Sequence, residues 1–334
     1  MKWEEVFYVL EVVGGKGVYY TVREAMEQQV MRITKLGDLV KLRALAKLCS
    51  MDFFNDQSLL VVAWRRILEI LELAMLEEKK ARGKKKQKKN DPRRLEILDA
   101  CFTLGLACNH VGDFDDSKRY YKRAKEGYEE QLGRDSEKAL EATSYLIMTT
   151  CSANDEVIEK LRDLLKRMEK ALGEENVVTL ETLNDLGCRL KESGEYEETI
   201  KIWERCLAGG TKVIGEDHAK TLDSLNNRGA VYGDLKNYEK ALKYFERALK
   251  GYERKLVTSH PETLDTVTNI AILYKHVSDY AQAEPLFERA FEGYEAQLGK
   301  DHNITINCAK HYGAFLEVVG NEGKLVELRK RYAL

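Results

Sequence analysis

Apolar residues in this chain recur at two intervals, every three or four positions inside a stretch and every 42 residues between stretches. The short interval is that of a helix with one buried face. The long one is marked by Thr179-Leu180, Thr221-Leu222, Thr263-Leu264 and Thr305-Ile306. A fixed period of this length predicts a solenoid, whose units bury their apolar faces by stacking on their neighbours. Within one copy, Leu225, Arg228, Gly229 and Tyr232 form a first stripe, and Tyr238, Ala241, Phe245 and Ala248 a second. The next copy repeats it with Val267, Ile270, Ala271 and Tyr274, then Tyr280, Ala283, Phe287 and Ala290. Polar turns at Lys236-Asn237 and Ser278-Asp279 part the stripes, so each unit is predicted to be a helical hairpin.

Earlier copies fit through Leu183, Gly187 and Trp203, and through Leu104, Gly105 and Tyr121. Leu140 precedes Leu180 by 40 residues, and the shortfall is placed in the turn at Cys151 to Asp155, where a deletion harms packing least. Gly105, Gly187, Gly229, Ala271 and Gly313 stand where the two helices of a hairpin must approach closely. Asp217, Ser259 and Asp301, ahead of the first helices, are read as caps.

The predicted fold is all-α, an α-α superhelix of about six hairpins over residues 92–334 with a further helical segment before it. In that segment, residues 1–78, Met26, Val30, Ile33, Leu39, Leu42, Ala46 and Cys49 suit a degenerate hairpin, and Leu59 to Ala74 one amphipathic helix. Residues 79–91 read as a basic linker.

A small residue in the first helix, an aromatic after the turn and Ala-x-x-x-Phe-x-x-Ala in the second resemble the tetratricopeptide repeat, most closely in Asn237–Leu256 and Asp279–Leu298. The 42-residue period, the linker Leu298-Gly299-Lys300-Asp301-His302 and Leu225-Asn226-Asn227 are similar to the kinesin-light-chain subclass. The resemblance implies an α-solenoid that binds peptide segments of partner proteins in its inner groove. Kinesin light chains also carry a long heptad region, which has no counterpart here, so the resemblance is to the repeats and not to a motor subunit.

Three prolines, 44% hydrophobic and 33% charged residues agree with a helical array. No run of about 18 apolar residues suggests a membrane span, and the expectation is a cytoplasmic chain, with the nucleus as alternative. Seven cysteines form no CxxC pair, and those at 101, 108, 188 and 206 fall on small or apolar positions, where they pack as hydrophobes without zinc or disulfide. Val12 to Gly17 lacks the phosphate-loop order, and no HExxH or nucleophile elbow occurs. No catalytic residue, metal or cofactor is expected.

Charge is segregated: Lys79 to Lys89 is strongly basic while the whole chain carries only −2. This tract supplies the alternative function, a nuclear or nucleic-acid-associated protein with the solenoid as accessory, although no aromatic interrupts it to stack on bases.

The groove reading rests on the first helices. The position after the recurring dipeptide is Asp99, Glu141, Glu181, Asp223, Asp265 and finally Asn307, a ladder of carboxylates that would attract a basic segment. Three residues on, Asn184 and Asn226 recur, flanked by Asn227 and Asn269, and amides can pair with any peptide backbone. Lys191, Lys275 and His276 add positive edges. The predicted function is a non-catalytic adaptor for an extended basic segment of a protein; the oligomeric state is left open.

Overall fold

The computed structural model describes residues 57–82, 89–150, 154–256 and 258–332, with residues 30, 39, 43 and 46. They form thirteen helices and no strand: α1 (Gln57–Arg82), α2 (Pro92–His110), α3 (Phe114–Leu132), α4 (Glu137–Thr150), α5 (Asn154–Leu172), α6 (Val177–Glu192), α7 (Tyr196–Val213), α8 (Ala219–Asp234), α9 (Tyr238–Lys255), α10 (Pro261–His276), α11 (Tyr280–Leu298), α12 (Asn303–Val319) and α13 (Glu322–Tyr332). The chain is the all-α solenoid of hairpins that the double periodicity predicts. It falls into two compact units, Met1–Ser152 and Ala153–Leu334. The division lies where the 42-residue period shortens.

In unit 1, α1 packs on α2, α2 pairs with α3, and α3 packs on α4. The expected amphipathic helix is α1. Val30, Leu39 and Ala46 are buried in the same core as Leu59, Ala63 and Ile67; the rest of the expected degenerate hairpin lies outside the described residues. In unit 2, α5 packs on α6, followed by the hairpins α6–α7, α8–α9, α10–α11 and α12–α13, each packed on the next. Neighbouring first helices also touch: α6 with α8, α8 with α10, and α10 with α12. No two second helices are among the packed pairs, so unit 2 bends with its first helices on the inside.

Two contacts recur in closing the hairpins. The first was expected: a Cβ on Gly229 would lie 2.7 Å from the Phe245 ring, on Gly187 2.5 Å from Trp203, and on Gly105 2.8 Å from Tyr121. The second joins Leu-acid on the first helix to Gly-Tyr on the second, 29 residues later. A Cβ on Gly127 would meet Leu98 at 2.2 Å, on Gly251 Leu222 at 2.3 Å, and on Gly293 Leu264 at 2.7 Å. Missing side chains thus let the leucines enter, and overpacking there costs about 1–3 kcal/mol. The buried Thr179, Thr221, Thr263 and Thr305 seal the same end; Thr221 Oγ1, for instance, donates to the Gly215 carbonyl at 2.9 Å.

The turn inside a hairpin needs one left-handed residue. Gly112, Gly194 and Gly320 supply it with φ of 79°, 79° and 71°, whereas Lys236 and Ser278 take it at 59° and 60° against the preference of a residue with Cβ. The caps of the first helices correct the sequence reading by one position. His218 Nδ1 accepts from the Lys220 amide and His302 Nδ1 from that of Ile304, while Asp217 pairs with Arg254 and Ser259 Oγ accepts from Gln297 at 2.8 Å. The residue before the cap points at the end of the second helix, not at the amides.

Candidate functional site

On the inner side of unit 2, two adjacent positions of each first helix recur at 42: Asn184-Asp185 on α6, Asn226-Asn227 on α8, Thr268-Asn269 on α10 and Lys310-His311 on α12. Because neighbouring first helices touch, a residue reaches its counterpart one position further on in the next copy. Asn227 Nδ2 donates to Asn184 Oδ1 at 3.2 Å, and Asn269 Nδ2 to Asn226 Oδ1 at 3.5 Å, each across 43 residues. Two turns along the same helices, Lys191 Nζ lies 3.4 Å from Asp234, again 43 residues on. All four asparagines are half-buried. Thr268 departs from the pattern: it is buried, and its hydroxyl donates back to the Leu264 carbonyl at 2.9 Å.

The carboxylates of the expected ladder take a different place. Tyr128 donates to Asp99 at 2.6 Å, and Lys138 Nζ reaches the same oxygen at 2.5 Å. Tyr252 donates to Asp223, whereas the Tyr294 hydroxyl donates to the Pro261 carbonyl at 3.2 Å and lies beside Asp265. Each is the acid of the Leu-acid pair meeting the tyrosine of Gly-Tyr inside one hairpin. In the copy with Gly209-Gly210 the tyrosine is missing, and Glu181 pairs with Lys220. Burial raises the carboxyls of Asp223 and Asp265 above the ordinary range, with the tyrosine hydroxyls opposing it. Asp99 and Glu141 belong to unit 1, where Glu141 is half-buried. The structure therefore brings Asn184, Asn226, Asn227 and Asn269 together and ties Asp99, Glu181, Asp223 and Asp265 into contacts of their own.

The sequence reading missed Asp185. It stands at the register of Asn227 and Asn269, and burial pushes its carboxyl up to about 6, with Arg189 opposing. The recurring pair of positions was the available signal. His276, by contrast, stacks on Tyr238 at 5.6 Å and sits at the end of the array's hairpin, not with the asparagines.

In unit 1 the same 43-residue step joins α2 to α4 through Phe102 and Tyr145, ring centroids 5.3 Å apart and edge to face. A separate cleft of about 450 Å³ lies over Met75, Leu76, Ile97 and Leu98; its rim charges are engaged as Arg123–Glu72 and Arg94–Glu130. Cys108, Asp113 and Asp116 cluster within 4.8 Å, but Arg65 already sits on both aspartates. Cys101, Cys108, Cys206 and Cys308 are buried in the cores; burial holds the Cys101 thiol up at about 11 and Cys206 at about 12. Most of the basic tract, residues 83–88, and both Cys49 and Cys151 lie outside the described residues. No helix among the described residues is long and apolar enough to cross a membrane.

Models of the tetratricopeptide repeat match residues 98–126, 190–254 and 263–304. No curated protein matches the chain. Among solved structures, BtubC (BKLC) from P. vanneervenii is similar at 20% identity and a TM-score of 0.57, over 74% of this chain and 94% of that one. A putative kinesin light chain of Podosopora anserina with nearly identical repeats is similar at 16% identity and TM-score 0.50, over 61% and 98%. Aspartyl phosphate phosphatase F of Bacillus subtilis follows at 12% identity and 0.57, over 85% and 70%. At these identities the likeness is one of fold.

Proposed function

The chain is a tetratricopeptide-repeat protein with repeats of the kinesin-light-chain-like kind, and on that premise we propose that it is a non-catalytic adaptor whose unit 2 holds an extended, basic segment of a partner protein against its inner face. The observation that carries this reading is the row of half-exposed asparagine pairs, Asn184 with Asn227 and Asn226 with Asn269. Each pair consumes one amide oxygen and one NH2, and leaves a second oxygen and a second NH2 with donor and acceptor capacity for a peptide backbone. Such pairing is indifferent to side chains, so selectivity needs charge. Asp185 supplies it: a carboxyl held up at about 6 by burial, with only Arg189 opposing, gains most from a lysine or arginine brought beside it. The ladder carboxylates contribute to hairpin closure instead.

The test is a display library of random 12-residue peptides selected on the whole chain and on Asn226→Leu/Asn269→Leu. Lysine- and arginine-bearing peptides are expected on the first and none on the second. The same peptides enriched on both proteins would contradict the reading.

A further inference from the structure

The second helices of unit 2 are tied to one another by ion pairs that recur at 36 residues. Glu169 on α5 meets Arg205 on α7 at 2.7 Å, Glu253 on α9 meets Arg289 on α11 at 2.7 Å, and Glu295 on α11 meets Arg331 on α13 at 2.6 Å. A second row joins Arg162 to Glu198 at 2.8 Å and Lys324 to Glu288. Both rows fail between α7 and α9. Thr211 stands where the acid for Arg247 belongs, and among the described residues Arg247 reaches only Glu216 of the following linker, at 3.7 Å. Glu204, the acid in line for Lys240, is taken at 2.9 Å by Arg228, a buried guanidinium that stacks over the Tyr244 ring. Lys240 lies instead over the ring of Tyr232, which carries no countercharge.

The cations left over line up. Lys240, Lys243, Arg247 and Lys250 follow one another at three, four and three residues, so they share one face of α9 over about 15 Å. All four are exposed. The same four positions are Glu198, Lys201, Arg205 and Ala208 on α7, and Gln282, Pro285, Arg289 and Glu292 on α11, so α9 stands apart from its neighbours. Lys243 has Glu239 at 2.7 Å, in a pair so exposed that solvent screens it.

We infer that this face of α9 is a docking surface for an acidic helix of a partner protein, separate from the inner face and independent of what binds there. Two features select a helix. Carboxylates along one side of a helix recur at the same three and four residues, and a 3-4-3 spacing matches in either direction. Beside the cations, Glu239, Glu246 and Glu253 form a second column at seven-residue spacing, so a wide polyanion, whether nucleic acid or charged bilayer, meets repulsion next to the attraction. A partner one helix wide escapes it. Because a short free peptide is a marginal helix in water, the surface suits a helix already formed in its parent protein.

The test is fluorescence anisotropy with an alanine-rich helical peptide of about 20 residues that carries glutamates in 3-4-3 register. The competing probes are the same composition with its glutamates spread around the helix, an oligothymidine, and phosphatidylserine vesicles. They are titrated on the whole chain, on Lys240→Gln/Arg247→Gln/Lys250→Gln, on Thr211→Glu, which rebuilds the missing pair, and on Lys300→Gln/Lys330→Gln as a control for charge elsewhere, with circular dichroism confirming that each variant folds. The in-register helix is expected to bind the wild type, about tenfold more weakly the triple variant and about threefold more weakly Thr211→Glu, with no change in the control. Equal binding of the spread peptide, no binding at low salt, or an unchanged triple variant would overturn the inference. Tighter binding of oligothymidine or vesicles than of the helix, lost in the triple variant, would overturn it too and assign the surface to another polyanion.

Discussion

Unit 1 and unit 2 use one hairpin but put opposite chemistry on the same inner step. Leu98 enters beside Gly127 in unit 1 as Leu222 enters beside Gly251 in unit 2, and Tyr128 holds Asp99 as Tyr252 holds Asp223. Across the 43-residue step, however, unit 1 places Phe102 against Tyr145, while unit 2 places asparagine against asparagine. Aromatic rings in edge-to-face contact bury area and fix the helices. Amide pairs contribute little net stability and keep capacity for a further partner. The difference teaches that the hairpin interior is common to both units, whereas the inner step carries aromatic packing in one and amide pairs, the proposed recognition row, in the other.

The largest effect should come from breaking what the units share. Gly251→Val would force a Cβ into Leu222, and Gly127→Val one into Leu98; each is expected to cost about 1–3 kcal/mol in thermal melting. A cost at Gly251 with none at Gly127 would mean that the two units close their hairpins differently.

Next comes what they do not share. Asn226→Leu/Asn269→Leu should weaken binding of selected peptides about tenfold, since one or two hydrogen bonds to the segment are lost, whereas Phe102→Leu should leave it unchanged. Titration by fluorescence anisotropy reads both, and an equal loss in the two variants would erase the distinction drawn between the units.

A smaller effect concerns acidity. Asp185 has its folded pKa raised to about 6, so the native state binds more protons there than the unfolded chain does. Its penalty is absent below the ordinary carboxylate range and grows as pH rises through about 6. Asp185→Asn should therefore stabilise the protein at pH 7.5 by on the order of 1 kcal/mol, after allowing for solvent screening of a half-buried group, and should not at pH 4. The same variant should lose its preference for basic peptides. Smallest of all, Lys236→Gly relieves a left-handed backbone at φ of 59° and should raise stability by about 0.5 kcal/mol, with no change at the inner face.

The fold was legible because both of its determinants are periodic. The apolar stripes gave the helices, and Gly229 beside Phe245 or Gly187 beside Trp203 gave the close crossing. The break at Cys151 to Asp155 was read only as a shortened turn within one array, and that two compact units part there was not read from it. The proposed site was legible only in half. Asn184, Asn226, Asn227 and Asn269 could be found because they recur on one helical face, but that they pair at 43, not 42, depends on how stacked helices are offset. The acids misled for a physical reason. Asp223 recurs as faithfully as any groove residue, yet its partner, Tyr252, is 29 residues away on the other helix of its own hairpin, a distance that no single-helix pattern displays. The caps were misplaced by one because histidine accepts through Nδ1 at His218 and His302, where shorter acceptors are the usual choice.

The central claim is that segments lie on the inside of unit 2. It is tested most directly by photo-crosslinking with p-benzoylphenylalanine placed at Ala230, three residues beyond Asn227 on α8, or at Lys250 on α9. With peptides selected on the wild-type protein, the account predicts crosslinks from position 230 and none from position 250. Crosslinks from position 250, with none from position 230, would contradict it.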